Sequence, residues 1–399
     1  MISEGIAVLA GIGIGSITGL VPGLHSNLIA TTTLALASFF PFQDISLALF
    51  IFAVSLTHVF VNIIPSVFLG CPDADTVMSI LPGHRMLMQG RGVEAVRLSI
   101  IGALLGIFAA ILLSPVFYFA IPWLYSSVKK YLGYVLIAIS IILILNEEKP
   151  RQILQALFVF LLAGIFGIFV LGSSMQQPLL PMLSGLFGIS NLAFSIYRGK
   201  KVVPLQREKK IALEKKEIVK AVGTGTMAGG LISLFPALGP SQAASLLSLL
   251  FGKGTSNSYL TLIGGVNSSN LIVSMIAAIT INKARNGSTA AIFLLLPAMT
   301  VSELLIFLGV AIVVGLFAVL LTLAIARKFS KFVSKVNYSA VSAAVIVFVA
   351  ALVVALSGIW GLVILAAGTG IGIIANKTGI SRGHLMGCLL VPVIFWLLT

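Results

Sequence analysis

Two short polar segments with helix-breaking residues interrupt apolar stretches of this sequence. The first is PGLHSN at residues 22–27, and the second is PALGPSQ at residues 236–242. Ser26 and Asn27 are good N-caps for a following helix, and Pro240 suits a first helical position. The start of a helix presents free amide N–H groups and the positive end of the helix dipole, which both attract anions. The two segments therefore predict binding of a negatively charged ligand.

Further candidates for ligand binding are amide side chains in otherwise apolar sequence. Asn62, Asn267 and Asn270 can donate to a carboxylate, or they can hydrogen-bond neighbouring helices together. His25 can face the ligand or bond to the local backbone. The predicted ligand-binding residues are Pro22, Gly23, Leu24, His25, Ser26, Asn27, Asn62, Pro236, Gly239, Pro240, Ser241, Gln242, Asn267 and Asn270.

Two ionisable residues are candidates for coupling ligand movement to an ion. His58 lies one helical turn before Asn62, so the two side chains would share a helix face. Glu303 is the only acid in its long apolar run. Each could move a proton or bind a cation. An interhelical hydrogen bond would equally explain His58, and a position near the membrane surface would explain Glu303.

The composition places these segments in a membrane. Hydrophobic residues make up 59 % of the 399 residues and charged residues only 9 %, whereas soluble domains carry about a quarter charged residues. Apolar runs long enough to cross the bilayer as helices recur throughout, and the alternation expected of membrane strands is missing. The sequence predicts an all-α integral membrane protein.

Fourteen apolar elements are expected, seven on each side of a long basic connection. This connection, residues 197–220, holds nine of the 25 Lys and Arg residues. The expected elements before it are 5–21, 26–40, 45–70, 97–121, 131–146, 152–172 and 178–196. Those after it are 221–236, 240–252, 256–282, 289–326, 339–357, 359–375 and 384–398.

The two halves are similar in sequence. Residues 7–36 align with residues 221–250 with nine identities, which include two glycines and the proline of each polar segment. The elements around each polar segment are short enough to enter the membrane and return as a re-entrant hairpin. Five crossings then remain in each half, and an odd number inverts the second half. Glycines at every fourth position before each polar segment are expected to allow close helix packing rather than to touch the ligand.

We therefore expect two inverted-topology repeats, each with a re-entrant helical hairpin and about five transmembrane helices. The first repeat would be residues 1–196 with a tip at 22–27, and the second would be residues 221–399 with a tip at 236–242. Residues 197–220 would form a cytoplasmic linker.

The distribution of basic residues gives the same topology. With the linker in the cytoplasm, 21 of the 25 Lys and Arg residues fall on the cytoplasmic side and four fall outside. Both termini are then predicted outside, in a multi-pass protein of the cell membrane. These loops account for the net charge of +14, so we expect no nucleic-acid partner.

Several motifs occur in a particular order. A glycine-rich helix ends in GLVPGLHSN, and VNIIPSVFLGCPDADTVMSILPGHRMLMQGRGVEAVRLSIIGALLG and FPALGPSQAA follow. In this order the chain resembles the TctA permease family, the large membrane subunit of tripartite tricarboxylate transporters. The similarity is good over the first hundred residues and moderate at the second tip. In the rest of the chain it is mainly the order of the elements that is similar. His25 stands where the family has a second glycine, which makes the tip bulkier and titratable near neutral pH.

The resemblance implies a secondary transporter of a di- or tricarboxylate-like anion. The anion would bind at the midplane between the two re-entrant tips and move by alternating access. The family also implies a small membrane subunit and an extracytoplasmic binding protein as partners, besides membrane lipids. A proton or sodium ion is the expected coupling ion, and no cofactor or metal is expected.

Two other functions stay open. The first tip is also similar to the Pro-Gly tips of proposed bacterial polyprenyl-phosphate carriers, so the anion could be a lipid phosphate. An intramembrane hydrolase that uses His25, His58 and Asp75 is a remote alternative. The sequence contains no HExxH, no GxxxxGKS/T phosphate-binding loop and no Cys/His metal-binding spacing, so we expect no enzyme activity.

Overall fold

The computed structural model describes most of the chain, and the described part is helical without strands. The described residues are 2–21, 24–39, 43–70, 80–197, 203–206, 213–235, 239–240, 243–244, 247, 255–284, 286–335 and 338–399, with backbone only at 80, 81, 195 and 338.

Eleven helices precede the basic connection within the described residues. They are α1 (Ile2–Leu20), α2 (Ser26–Ala35), α3 (Asp44–Val61), α4 (Ile63–Phe68), α5 (Ile80–Met88), α6 (Gly92–Leu112), α7 (Ser114–Val128), α8 (Leu132–Leu145), α9 (Pro150–Leu171), α10 (Leu179–Leu183) and α11 (Ser190–Tyr197). A π-helical stretch, Ser184–Ile189, joins α10 to α11, and a 3-10 turn, Lys129–Tyr131, joins α7 to α8.

Seven helices follow the connection within the described residues. They are α12 (Lys215–Ile232), α13 (Ser256–Ile281), α14 (Gly287–Leu295), α15 (Val301–Val333), α16 (Tyr338–Ser357), α17 (Trp360–Thr378) and α18 (Gly387–Leu398). A 3-10 turn, Arg382–Met386, leads into α18. Helix α12 begins inside the predicted linker because Glu214 and Glu217 form a capping box at its start.

Several expected elements are interrupted: 45–70 is α3 and α4, 178–196 contains the π-helical stretch, and 97–121 and 289–326 are each divided into two helices. The element 97–121 breaks at Leu113, because Pro115 near the start of α7 has no N–H to continue the helical bonding of α6. The element 289–326 is α14 and α15, separated by residues 296–300, and Thr300 caps the second helix. These breaks were not predicted, because apolar periodicity continues across them.

Helix α5 was not predicted either. It lies between the expected elements 45–70 and 97–121, where a loop was expected. Glu94 at the start of α6 is buried and makes two hydrogen bonds with Arg91, of 2.9 and 2.7 Å. The bidentate pair satisfies the buried carboxylate at a helix N-terminus, where the dipole favours it.

Helix length and composition indicate a multi-pass membrane protein. Nine segments of the described residues are long and apolar enough to cross a membrane, from Ile2–Leu20 to Trp360–Thr378. Two further apolar segments, Leu179–Phe194 and Arg382–Leu398, are shorter. A shorter apolar segment can still cross where the bilayer thins around it.

Helices α1 and α12 each pack closely on one neighbour through glycines. A Cβ at Gly15 would lie 2.5 Å from the Val54 carbonyl oxygen on α3, which leaves no room for a side chain. On α12, a Cβ at Gly225 would lie 2.8 Å from the Leu262 carbonyl oxygen of α13. The predicted packing role of these glycines is therefore confirmed.

The buried apolar residues divide the described helices into two units. The large unit comprises α1–α7 and α12–α15, and the small unit comprises α8–α11 and α16–α18. The two units meet at Leu69, Leu192 and Phe329, where a small apolar cluster bridges them, and at Phe235, which packs against the cores of both units. Asn191 of the small unit also donates to the Gly70 carbonyl oxygen of the large unit, at 3.2 Å.

Candidate functional site

The first predicted tip forms the N-terminus of α2. The helix begins at Ser26, and its N-cap is His25, whose Nδ1 accepts from the Asn27 backbone N–H at 3.1 Å. The expected caps were Ser26 and Asn27, so this detail of the prediction was wrong. Since Nδ1 accepts, the neutral ring of His25 carries its proton on Nε2. Pro22 and Gly23 lie outside the described residues.

His58 of α3 lies against the tip. Its ring centroid is 5.4 Å from that of His25, at an interplanar angle of 41°. His58 Nδ1 is 3.1 Å from Thr18 Oγ1, and Thr18 in turn donates to the Gly15 carbonyl oxygen. Because the Thr18 hydroxyl proton is already donated to Gly15, His58 Nδ1–H is the donor in the hydrogen bond between His58 and Thr18. The contact joins α1, α2 and α3 at one point.

Asn62 lies one turn after His58, at the break between α3 and α4. Its side chain is 2 % exposed, and neither Oδ1 nor Nδ2 has a hydrogen-bond partner among the described residues. The end of α1 approaches it, since a Cβ at Gly19 would lie 3.1 Å from the Asn62 backbone nitrogen. A buried polar group without a partner costs about 1–3 kcal/mol, so such a group is uncommon without a functional reason.

The N-terminus of α14 meets the N-terminus of α2. Asn27 Oδ1 accepts from both the backbone N–H and the hydroxyl of Ser288, each at 3.1 Å. Gly287 makes this approach possible, because a Cβ there would lie 2.8 Å from Asn27 Cγ. Asn286 caps α14 by accepting from the Thr289 N–H at 2.7 Å. Two helix dipoles thus direct their positive ends to one region, one from each half of the chain.

The second predicted tip is described only in part. Gly239 and Pro240 are described, whereas Pro236, Ser241 and Gln242 lie outside the described residues. Ala243, Ala244 and Leu247 pack in one apolar cluster with residues of α12 and α13. The predicted ligand contacts of this tip stay predictions.

The amides of α13 are in different environments. Asn267 is buried, and its Oδ1 has no partner among the described residues. Asn270 Oδ1 accepts from the Ser274 hydroxyl at 3.3 Å, and its backbone nitrogen lies beside Gly229 of α12. Asn267 therefore keeps an acceptor available, while Asn270 has a local hydrogen bond.

Glu303 has a local structural role at the start of α15. Its carboxylate accepts from the Thr300 backbone N–H at 2.7 Å and from the Thr300 hydroxyl at 2.9 Å. The Glu303 N–H donates to the Thr300 hydroxyl in return, which completes a capping box. This arrangement explains an acid at that position, and the coupling role of Glu303 stays a prediction.

The start of α14 was missed as part of the site. Its signal is the sequence Asn286–Gly287–Ser288, an N-cap residue followed by a glycine and a hydroxyl. The expected element began at residue 289, so these polar residues were assigned to a loop. Their meeting with Asn27 joins positions 261 residues apart, which no local pattern indicates.

The arrangement suits an anion. The side chains that meet here are amides, hydroxyls and imidazoles, with no carboxylate among the described ones of this site. Elsewhere in the described residues, too, there is no group of three His, Cys, Asp or Glu residues placed to hold a metal. Donors and two positive helix ends favour a ligand with negative oxygens.

Comparison with known proteins identifies a family. Residues 6–387 match the tripartite tricarboxylate transporter TctA family. The chain is similar to the uncharacterized protein MJ1079 of Methanocaldococcus jannaschii, with 27 % identity over 401 residues that cover 98 % of each chain. No solved structure gives a significant match. Because the family match spans nearly the whole sequence, this protein belongs to the TctA family of membrane transporters.

Proposed function

We propose that the protein is a secondary transporter that binds a small di- or tricarboxylate-like anion at the N-termini of α2 and α14, beside Asn62. The observation that carries the proposal is the Asn62 side chain, buried without a partner among the described residues one turn after His58, whose ring contacts His25 at the start of α2. A bound carboxylate would accept from Asn62 Nδ2 and so satisfy a group that is otherwise unfavourably buried.

The charge of the ligand follows from its surroundings. Each helix N-terminus stabilises a nearby anion by about 0.3–1 kcal/mol, rising to ~2 kcal/mol where the group is partly buried. The His25 and His58 rings, whose centroids lie 5.4 Å apart, contribute N–H donors and no negative charge. The residues of the second tip, 236–242, would complete the site from the other half of the chain.

The inverted repeat is supported by matching contacts in the two halves. Gly11 and Gly15 approach Phe50 and Val54 on α3 as Gly225 and Gly229 approach Leu262 and Val266 on α13. Both helix pairs follow the same glycine spacing. Similar contacts at two places are expected when one structural unit occurs twice.

The predicted membrane orientation is supported by contacts at each end of the molecule. Gln206 of the basic connection accepts from the Gly92 N–H at 2.7 Å, and Pro204 accepts from the Ser334 hydroxyl at 3.3 Å. Both contacts join segments predicted to be cytoplasmic. Lys283, predicted outside, lies 5.6 Å from the ring centroid of Tyr125, which comes shortly before Lys129 and Lys130, also predicted outside.

Alternating access would come from movement of the large unit against the small unit. The described residues of the proposed site belong to the large unit, and the described apolar contacts between the units are the cluster at Leu69 and Leu192 and the side chain of Phe235. The family name implies that a small membrane subunit and an extracytoplasmic binding protein act with this chain. A proton or sodium ion would drive the movement, with His58 and Glu303 as the candidate coupling residues.

The proposal can be tested by ligand stabilisation of the purified protein. Citrate or succinate, with and without sodium, should raise the melting temperature, and Asn27→Ala or Ser241→Ala should remove that effect. Stabilisation by a polyprenyl phosphate but by no soluble carboxylate would instead identify a lipid-carrier transporter. Conversion of a ligand to a product, lost in His25→Ala, would identify a hydrolase. Full response of both variants to carboxylates would contradict the proposal.

A further inference from the structure

A second group of polar residues lies in the small unit, away from the site of α2 and α14. Arg382, in the connection between α17 and α18, is only 7 % exposed. Its Nη2 donates to Asn191 Oδ1 at 2.6 Å. Its Nη1 is buried and has no hydrogen-bond partner among the described residues. The guanidinium therefore has a neutral amide as its partner and N–H donors to spare.

Glu147, an acid of the small unit, already has polar partners. Glu147 Oε1 lies 2.8 Å from His384 Nε2 and accepts from the Ser381 N–H at 2.7 Å. Among the described residues, no carboxylate forms an ion pair with Arg382. Burial lowers the pKa of Arg382 to about 10, so the group still carries its charge at neutral pH.

A buried guanidinium without a counter-ion is unfavourable. Taking a charge out of water is costly unless an opposite charge and hydrogen bonds replace the water. Arginine also matches carboxylate and phosphate groups with two parallel N–H donors. The free donors at Nη1 thus fit an oxyanion that comes from outside the chain.

We propose that Arg382, positioned by Asn191, binds an oxyanion at the junction of the two units, as the carboxylate of a soluble anion or the phosphate of a lipid headgroup. Asn191 places this site at the junction, because its Nδ2 donates to the Gly70 carbonyl oxygen of the large unit at 3.2 Å. Lys377, a basic residue exposed on the last turn of α17, is not part of the proposed site. This site is independent of the proposed site at α2 and α14.

The first test compares Arg382→Gln with Lys377→Gln in the full-length protein. Both variants also carry Asn62→Leu, which disables the first site and keeps the two sites distinguishable. The probes are citrate, inorganic phosphate and a short-chain phosphatidic acid. With Asn62→Leu alone, at least one probe should raise the melting temperature by about 2 °C or more. Arg382→Gln should remove this response, whereas Lys377→Gln should retain it.

The melting temperatures measured without any anion show whether Arg382 serves binding or has a structural role. Arg382→Gln removes an uncompensated buried charge, so its melting temperature should equal or exceed that of the parent. A response to soluble probes identifies a soluble anion, and a response to phosphatidic acid alone identifies a lipid headgroup. A lower melting temperature of Arg382→Gln together with an unchanged response to the probes would overturn the proposal, as would a parent that responds to no probe.

A second variant decides the question if Arg382→Gln does not fold. Asn191→Asp places a carboxylate where Arg382 Nη2 already donates, so it supplies the counter-ion from within. This variant should melt at a higher temperature than the parent and should no longer respond to the probes. The matched control is Asn376→Asp, which loses a similar amide bond, to the Ser190 carbonyl oxygen at 3.2 Å, without touching Arg382. Equal responses of both aspartate variants would contradict the proposal.

Discussion

At the scale of single residues, His58 on α3 and Asn62, one turn later, differ in their hydrogen bonding. His58 is buried and pairs with Thr18, so its polar nitrogen is compensated within the protein. Asn62, one turn later, is equally buried, and neither of its amide atoms has a partner in the described chain. The first residue stabilises the fold, while the second, under the proposed function, would keep its hydrogen-bonding capacity for a ligand at the expense of stability.

Asn62→Leu should therefore stabilise the ligand-free protein. Leucine has a similar volume and leaves no buried polar group, so the free energy of unfolding should rise by about 1–3 kcal/mol. Thermal denaturation of the purified variant in detergent measures the change. The control is Asn376→Leu, which loses a formed hydrogen bond to Ser190 and should be destabilised. A destabilised Asn62→Leu would show that Asn62 has a structural partner.

Asn27→Asp should separate structure from ligand binding at the tip. Aspartate keeps an oxygen for both Ser288 donors, and its charge is favourable at a helix N-terminus, so the fold should keep its stability. The same charge repels an anion and should weaken binding at least tenfold, about 1.4 kcal/mol. Titration calorimetry with citrate measures the affinity. Unchanged affinity would mean that the anion lies elsewhere.

At the scale of helices, the sequence predicted most elements but not their interruptions. Glycine spacing in α1 and α12 correctly indicated close packing, because small residues every fourth position line one helix face. The break at residues 296–300 was missed, although Pro297 and the Thr300–Glu303 capping box signal it. The N-terminus of α2 was recognised from its residue types, but its partner was not. Ser288 reaches Asn27 only through the tertiary fold.

Gly15→Ala should destabilise the protein by separating α1 from α3. The added methyl group would meet the Val54 carbonyl oxygen at 2.5 Å and Thr57 Cβ at 2.8 Å, so backbone must move, at a cost of about 1–3 kcal/mol. The control is Gly13→Ala on the same helix, where a Cβ meets nothing within 4 Å. Alanine there should leave stability unchanged or raise it by up to about 1 kcal/mol. Equal heat stability of the two variants would show that α1 and α3 are not closely packed.

At the scale of the whole molecule, the two units have unequal roles. The large unit holds both helix N-termini and Asn62, while the small unit contacts it near Leu69, Leu192 and Asn191 and through Phe235. A limited interface favours relative movement, because few contacts must break. The small unit would then be the support against which the binding site moves.

Cross-linking the units should stop transport but not binding. The pair Leu69→Cys and Leu192→Cys, in a background without Cys71 and Cys388, bridges the apolar contact between the units. Addition of Hg²⁺ should abolish citrate uptake into proteoliposomes, with any partner subunits supplied, and leave citrate binding intact. The control pair, Ile189→Cys and Val349→Cys, lies within the small unit, and its cross-link should not reduce uptake. Continued uptake by the bridged protein would exclude movement at this interface.

The central claim is that an organic anion binds at the meeting point of α2 and α14 and is held by Asn62. The most direct measurement is equilibrium binding of labelled citrate to the purified wild type and to Asn62→Leu. We predict saturable binding by the wild type and no measurable binding by a variant that is folded and at least as heat-stable. Equal citrate binding by both proteins would contradict the account.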